Sequence, residues 1–130
     1  MSDELALLAA NEAYYDAFNA RDDDAMAALW AQENVSCVHP GWPPLFGRRA
    51  VLSSYEEIFH NPRQQKIVHS SAQSLIDGEI GRVICLETVG DAALVATNWH
   101  RLVEGKWLLV HHQASPLAFD ASTSDRRLMH

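Results

Sequence analysis

Residues 79–116 read EIGRVICLETVGDAALVATNWHRLVEGKWLLVHHQASP, and they decide the class of the fold. Turn signals at Gly90-Asp91 and Glu104-Gly105 divide this stretch into three runs rich in β-branched and aromatic residues. A third signal, Asp77-Gly78, separates a fourth run that begins at residue 66. Glycine beside an acidic residue suits the positive φ angles of two-residue hairpin turns. The sequence therefore predicts four long antiparallel strands, of about ten residues each, in one twisted sheet.

The chain before these strands predicts three helices. The first begins near Ser2, and apolar residues recur along it at helical spacing: Leu7, Ala10, Tyr14, Ala17 and Phe18. A second, shorter helix starts at Asp22 or Asp23. The third runs from about Arg48 to His60, because the following Asn61-Pro62 disfavours helical geometry.

A loop-like segment, HPGWPPLFG at residues 39–47, lies between the second and third helices. Its prolines and glycines exclude regular structure, yet its aromatic side chains are costly to leave in water, so we expect a structured loop packed over the domain. Helices first and strands second indicate an α+β fold, with three N-terminal helices on one face of a mostly antiparallel sheet. We expect one domain over residues 1–116 and a polar C-terminal tail over residues 117–130.

The charge of the chain excludes two classes of partner. There are 17 acidic and 10 basic side chains among the 130 residues, giving a formal net charge of -7. An acidic chain without a basic cluster cannot neutralise phosphates, so neither nucleic acid nor an anionic membrane is an expected partner. Residues 1–33 carry the whole excess, with eight acids and Arg21, and we expect these acids at helix starts and on solvated faces.

The two cysteines, Cys37 and Cys85, lie within apolar runs and predict buried free thiols rather than a disulfide framework. The N-terminus has acids where a secretory signal needs basic residues, and no apolar stretch approaches the roughly 18–20 residues of a membrane span. We therefore expect a soluble, cytoplasmic protein.

No local motif of the strength of a phosphate-binding loop or a nucleophile elbow is present in the sequence. The informative residues are Trp, His, Asn and Gln distributed over the last two strands. Strict alternation from Lys106 onward would turn Trp107, Leu109, His111 and Gln113 toward the helices. His111 and His112 cannot bind one ion, since adjacent strand residues face opposite ways, and we expect neither a metal site nor a cofactor.

Four segments together carry a resemblance to a known family: ALW at 28–30, CVHPGWPPLFGRRAVLSSYEEIF at 37–59, ATNWHRL at 96–102 and KWLLVHHQASP at 106–116. With the order of the elements, they resemble the nuclear-transport-factor-2-like superfamily (cystatin-like fold), and within it the SnoaL-like branch. The last strand is also similar to that of the association domain of calcium/calmodulin-dependent kinases.

The resemblance implies a cone-shaped domain with an internal ligand cavity, and a homodimer formed through the outer face of the sheet. Its members include isomerases, cyclases, hydrolases and proteins without chemistry, so function must be argued from the site. We expect a small-molecule-binding protein whose ligand is a small organic molecule. We expect its catalytic residues, if it turns its ligand over, to be His111 and His39, because imidazole titrates near neutral pH. The ligand would contact side chains from both halves of the chain: Trp30, Trp42, Tyr55, Asn98 and Gln113.

Two alternatives stay open from the sequence. One is a non-catalytic association module with a vestigial pocket, in which Trp99, Val110 and His112 are buried between subunits. The other is an enzyme that uses a carboxylate, in which case Asp16 or Glu87 would be buried in the cavity. Whether the protein is an enzyme is not decided by these residues.

Overall fold

A computed structural model of the chain describes residues 3–118. Its elements are three helices and six strands: α1 (Asp3–Ala20), α2 (Asp23–Leu29), β1 (Ser36–Val38), β2 (Leu45–Phe46), α3 (Arg48–Phe59), β3 (Val68–Asp77), β4 (Ile80–Val89), β5 (Ala92–Val103) and β6 (Lys106–Pro116). The helices and the four long strands match the sequence prediction. The proposed tail lies outside the described residues after position 118. No helix within the described part is long and apolar enough to span a membrane.

The strands form one six-stranded sheet in the order β2-β1-β6-β5-β4-β3. The four long strands are antiparallel neighbours, as the turn signals predicted. Two short strands add to the four, because β1 pairs with β6 in parallel and β2 pairs with β1. The sequence prediction missed β2, which is two residues long and lies inside the proline-rich segment.

The alternation of inward and outward side chains along β6 is interrupted by a bulge. The second half of the strand therefore faces the opposite way from the sequence prediction. Trp99 pairs with His111, but the next residue, His100, pairs with Leu109, so Val110 is an extra residue in β6. A bulge of this kind places two residues opposite one and shifts the alternation beyond it. Leu109, which precedes the bulge, is buried beneath the sheet as predicted. Beyond the bulge, His112 rather than His111 lies on that face.

The helices cover one face of the sheet, and α1 supplies most of the side chains beneath it. Its buried residues are Leu7, Asn11, Tyr14, Tyr15, Ala17 and Phe18. Tyr14 and Phe18 belong to the main core together with Tyr55 of α3 and Met26 of α2. The helix stripe that the sequence predicted is thus buried except for Ala10, which is half-buried, and Asn11 and Tyr15 add to it. Both cysteines are buried and free, as expected.

Candidate functional site

A cavity of about 400 Å³ lies between the sheet and the helices, at the end of the sheet where β4 meets β5. Apolar residues form most of its wall, and a few polar side chains converge in it, which is the usual character of a small-molecule site. Its lining consists of Tyr14, Phe18, His39, Pro40, Trp42, Ile58, Gln64, Ile67, Glu87, Val89, Ala92, Leu94, His112 and Pro116.

Five buried polar side chains form a continuous hydrogen-bond network along the sheet wall of this cavity. The Tyr15 hydroxyl donates to Glu87 Oε2 at 2.6 Å, and Asn98 Nδ2 donates to the Tyr15 oxygen at 3.2 Å. Asn98 Nδ2 also donates to Asn11 Oδ1 at 2.9 Å. Since this leaves Asn98 Oδ1 as an acceptor, His112 Nδ1 donates to it, at 2.5 Å. The network thus connects two cavity residues, Glu87 and His112, through Tyr15 and Asn98.

Glu87 is the one carboxylate among the cavity residues of the described chain, and it is only 2% exposed. Burial raises the pKa of this carboxyl above its usual value, while the hydrogen bond from Tyr15 and the nearby charge of His69 oppose the rise. His69 lies opposite Glu87 in the β3–β4 register and stacks on the Tyr15 ring at 4.3 Å between centroids. Its Nε2 lies 2.8 Å from Glu12 Oε2 on α1. A buried carboxyl with a raised pKa is suited to exchange a proton with a bound ligand.

His39 forms a second polar point of the cavity. The Ser54 hydroxyl donates to the Val51 carbonyl oxygen at 2.6 Å, so its oxygen accepts from His39 Nε2 at 2.8 Å. His39 also packs edge-on against Tyr55 and Trp42, with centroids 4.9 and 5.1 Å apart. Burial lowers the pKa of His39 to about 4.

His112 is likewise neutral at physiological pH. Burial, with a smaller contribution from the charges of His39 and His111, lowers the pKa of His112 to about 3. Its ring stacks on Tyr14 at 5.0 Å. The Tyr14 hydroxyl lies 2.7 Å from the Tyr55 hydroxyl, and burial raises the pKa of both phenols. Both histidines are therefore hydrogen-bonding groups of fixed orientation, not cations.

The structure brings together some of the seven residues that the sequence singled out. His39 and Trp42 line the cavity. Tyr55 packs directly behind His39, and Asn98 holds His112, so both support the wall rather than form it. Trp30 is 1% exposed in the core and contacts Tyr55 at 6.0 Å between centroids.

The other two residues lie on the opposite face of the sheet, so their predicted place in the cavity is wrong. His111 and Gln113 line a shallow depression of about 270 Å³ on the outer face, with Val95, Thr97, Trp99 and Ser115. His111 Nδ1 lies 2.7 Å from the Ser36 hydroxyl oxygen, and its Nε2 lies 3.2 Å from Gln113 Oε1. The bulge at Val110 is the cause, because it ends the strict alternation on which the prediction depended.

Three functional candidates were missed or left open by the sequence: Glu87, Tyr15 and His112. Glu87 shares its face of β4 with Val83 and Cys85, whereas Arg82 is on the other face, so the alternation contained a signal for its burial. Tyr15 lies four residues after Asn11, and this second stripe of α1 was hidden by the stronger apolar one. Asp16, the other acid considered, is exposed. Trp99 faces outward, as the association hypothesis required, but His112 does not.

No group of three or more His, Cys, Asp or Glu side chains within residues 3–118 is arranged to hold a metal ion. The ring centroids of His112 and His39 lie 6.1 Å apart.

Comparison with known proteins agrees with the fold. The family model of the SnoaL-like domain matches residues 7–119. A protein from Streptomyces avermitilis, assigned as a dehydratase of the nuclear-transport-factor-2-like family, is 31% identical, with 90% of this chain and 97% of that chain covered and a TM-score of 0.82. A protein with a cystatin-like fold from Nostoc punctiforme is 15% identical, with 94% of each chain covered and a TM-score of 0.76, and it shows the fold alone.

A second kind of relative is equally similar. A protein from Thiobacillus denitrificans, assigned as an association domain of calcium/calmodulin-dependent protein kinase type II, is 35% identical, with 85% of this chain and 94% of that chain covered and a TM-score of 0.73. No curated protein gives a significant match. Three helices on a six-stranded, mostly antiparallel curved sheet make up the cystatin-like fold of these proteins.

Proposed function

The chain belongs to the SnoaL-like family, and from that premise we propose that it binds a small organic molecule in the cavity and transfers a proton within it, as an isomerase or a dehydratase does. The observation that carries this proposal is the placement of Glu87. A carboxyl that is almost fully buried, yet faces a cavity of about 400 Å³, is costly to maintain for stability alone. The similarity to a protein assigned as a dehydratase supports the same class of reaction.

In this proposal Glu87 is the general base. The carboxylate removes a proton from a carbon next to a carbonyl group, and the carbon–hydrogen electron pair forms an enolate. The Tyr14 hydroxyl, which also lines the cavity, can donate to the carbonyl oxygen as negative charge develops there. In a β-hydroxy ketone, Glu87 then returns the proton to the departing hydroxyl group, which leaves as water. The product is an enone, and the carboxylate is restored.

Tyr15 and Asn98 position the reacting groups. The Tyr15 hydroxyl holds Glu87 Oε2, and Asn98 fixes the tautomer of His112. With Nδ1 occupied, the unprotonated Nε2 of His112 is the nitrogen available to a ligand hydroxyl. His39, which follows β1, orients the ligand and is itself anchored on Ser54 of α3.

The experiment follows hydrogen–deuterium exchange next to the carbonyl, and loss of water, for a panel of cyclic β-hydroxy ketones in deuterium oxide by proton NMR. We expect Glu87→Gln to lower the rate roughly 100- to 10,000-fold, the usual contribution of a positioned acid–base group. His111→Gln is the matched control, because His111 lies on the outer face and should leave the rate unchanged. A rate that Glu87→Gln does not alter, or no exchange above the buffer rate in the whole panel, would refute the proposal.

A second candidate function is association through the outer face of the sheet, supported by the similarity to an assigned association domain. We propose that two copies of the chain pair through the depression that contains Trp99, Val95 and His111. Arg82 covers part of the Trp99 ring, with its guanidinium carbon 5.2 Å from the ring centroid. This surface is separate from the cavity, so the two functions are compatible.

Sedimentation velocity at micromolar concentration tests this pairing. We expect a dimer for the natural sequence and a monomer for Trp99→Glu, which places a charge at the centre of the depression. Glu87→Gln, on the other face, should leave the dimer intact. A monomeric natural protein would exclude the association function and would leave the cavity chemistry unaffected.

A further inference from the structure

The direction of each hydrogen bond around the cavity determines what kind of ligand it can hold. Starting from the Glu87 carboxylate, Tyr15 must donate, so its oxygen accepts from Asn98 Nδ2. The carbonyl oxygen of Asn98 then accepts from His112 Nδ1. At the far end of this chain His112 Nε2 is left as an acceptor. The network thus presents two acceptors to the cavity, the carboxylate of Glu87 and the imidazole nitrogen of His112.

The same reasoning applies to His39 on the opposite wall. The hydroxyl proton of Ser54 is used by the Val51 carbonyl, so His39 Nε2 carries its proton toward Ser54. In the neutral ring His39 Nδ1 is then an acceptor as well. Burial lowers the pKa of both rings, so they stay neutral and do not gain the second N–H that would make them donors.

The charge of the cavity lining also disfavours anionic ligands. Within residues 3–118, none of the side chains that line the cavity is a lysine or an arginine. An anionic ligand would meet the Glu87 carboxylate and neutral acceptors in a poorly hydrated space, where uncompensated charge is costly. The fully buried group that remains able to donate is the Tyr14 hydroxyl, which shares one hydrogen bond with Tyr55. The other N–H donors of the lining, on Trp42 and Gln64, belong to half-buried side chains.

We propose that the cavity is selective for neutral ligands that donate hydrogen bonds, such as phenols, enols and alcohols, and that it rejects carboxylates and phosphates. This inference rests on the proposed binding of a small molecule in the cavity and names its chemical class. A hydroxyl group would donate to His112 Nε2 or Glu87, and a carbonyl oxygen would be accommodated at Tyr14.

Three probes of the same shape test this selectivity: para-butylphenol, para-butylanisole and para-butylbenzoate. The first donates a hydrogen bond, the second is neutral but has no donor, and the third is an anion. Dissociation constants are measured at about pH 8 by NMR titration of amide resonances, a pH at which the benzoate is ionised and the phenol is not. We expect the phenol to bind about tenfold more tightly than the anisole, as one hydrogen bond to a charged or buried acceptor provides. The benzoate should bind more weakly than the phenol by at least this factor.

Variants separate the contributions of the wall. Glu87→Gln removes the charge and adds an amide donor at nearly the same shape. It should therefore reduce the ratio between the dissociation constants of the benzoate and the phenol. His112→Gln adds a donor at the other end of the network and should act in the same direction, with thermal unfolding measured to establish that it folds. His111→Gln, its neighbour on the outer face, should change none of the three constants.

Equal affinities for the phenol and the anisole would overturn the proposed need for a donor. Tighter binding of the benzoate would mean that the network runs in the opposite direction and presents donors to the cavity, which would also overturn it. In both cases a ligand still binds, and the proposed function is unaffected. If none of the probes binds, both this inference and the proposed cavity function fail. Exchange activity without Glu87 would instead refute the proposed function alone.

Discussion

Removing the hydroxyl group of Tyr15 is the most direct test of the network behind the cavity. In Tyr15→Phe, Glu87 Oε2 loses a hydrogen bond of 2.6 Å in a buried site, and Asn98 Nδ2 keeps only its bond to Asn11. A hydrogen bond to a charged group contributes about 1.5–3 kcal/mol. Since this bond favours the ionised carboxyl, its loss should raise the pKa of Glu87 further in the variant.

The sign of the pH dependence follows from that shift. Burial already raises the pKa of Glu87 in the folded protein, so the folded state holds this proton more tightly than the unfolded chain does. Folding stability from this group is therefore present at low pH and lost as the pH rises through the folded pKa. Tyr15→Phe increases the difference between the Glu87 pKa values of the folded and unfolded states. The substitution should therefore lower the unfolding free energy more at about pH 8 than at about pH 4.

Carbon-13 NMR titration of the Glu87 carboxyl measures the pKa, and urea unfolding at the two pH values measures the cost. Tyr14→Phe is the matched control, because its buried hydroxyl is bonded to Tyr55 and not to Glu87. An unchanged Glu87 pKa in Tyr15→Phe, or an equal shift in Tyr14→Phe, would refute the assignment of Tyr15 as the group that holds this carboxylate.

Three further substitutions test other parts of the structure. His100 is fully buried, and neither of its ring nitrogens is hydrogen-bonded. Burial lowers its pKa to about 4. Because the unfolded chain takes up this proton near pH 6.5 and the folded protein does not, the folded protein loses stability as the pH falls below about 6.5. His100→Leu should raise the unfolding free energy by about 1–3 kcal/mol at neutral pH, and by about 2 kcal/mol more at about pH 5. Chemical denaturation that gives the same increase in unfolding free energy at both pH values would contradict this. Gly81→Ala should cost about 1–3 kcal/mol, because the added carbon would lie 2.8 Å from Leu7 Cδ2, and a double-mutant cycle with Leu7→Ala should show coupling. Asp22→Ala removes the acceptor for Ala25 N–H at the start of α2 and should lower the melting temperature through a loss of about 1 kcal/mol.

The long elements could be predicted from the sequence because their signals are local. Each hairpin turn has its own glycine, and Glu104 and Gly105 adopt the positive φ angles that such a turn requires. The end of α3 is likewise set by the adjacent proline. By contrast, β2 has no local signal, since its two residues are extended only because β1 lies beside them.

The cavity was harder to predict because its polar groups depend on contacts distant in sequence. Glutamate is usually a surface residue, and the group that stabilises Glu87 on the buried face of β4 is the Tyr15 hydroxyl, 72 positions away, which donates to it. His39 and Trp42 line the cavity, and here the sequence had a local signal, because aromatic side chains in a proline-rich loop are costly to leave in water. His111 and Gln113 were placed on the wrong face, because alternation assumes that every residue advances the strand by one step.

The extra residue at Val110 gives β6 two halves whose facing can change independently. If the second half of β6 slipped by one position, so that Val110 paired with Trp99, Trp107 and Leu109 would stay in place and His111 and Gln113 would lie under the sheet instead of His112 and Ala114. The cavity side of β6 would then carry the Gln113 amide and lose the His112 imidazole that Asn98 holds, although no side chain is substituted. A slip of one residue in the register of this strand can therefore alter ligand preference, and NMR titration of the two imidazoles would show which of them is shielded from solvent.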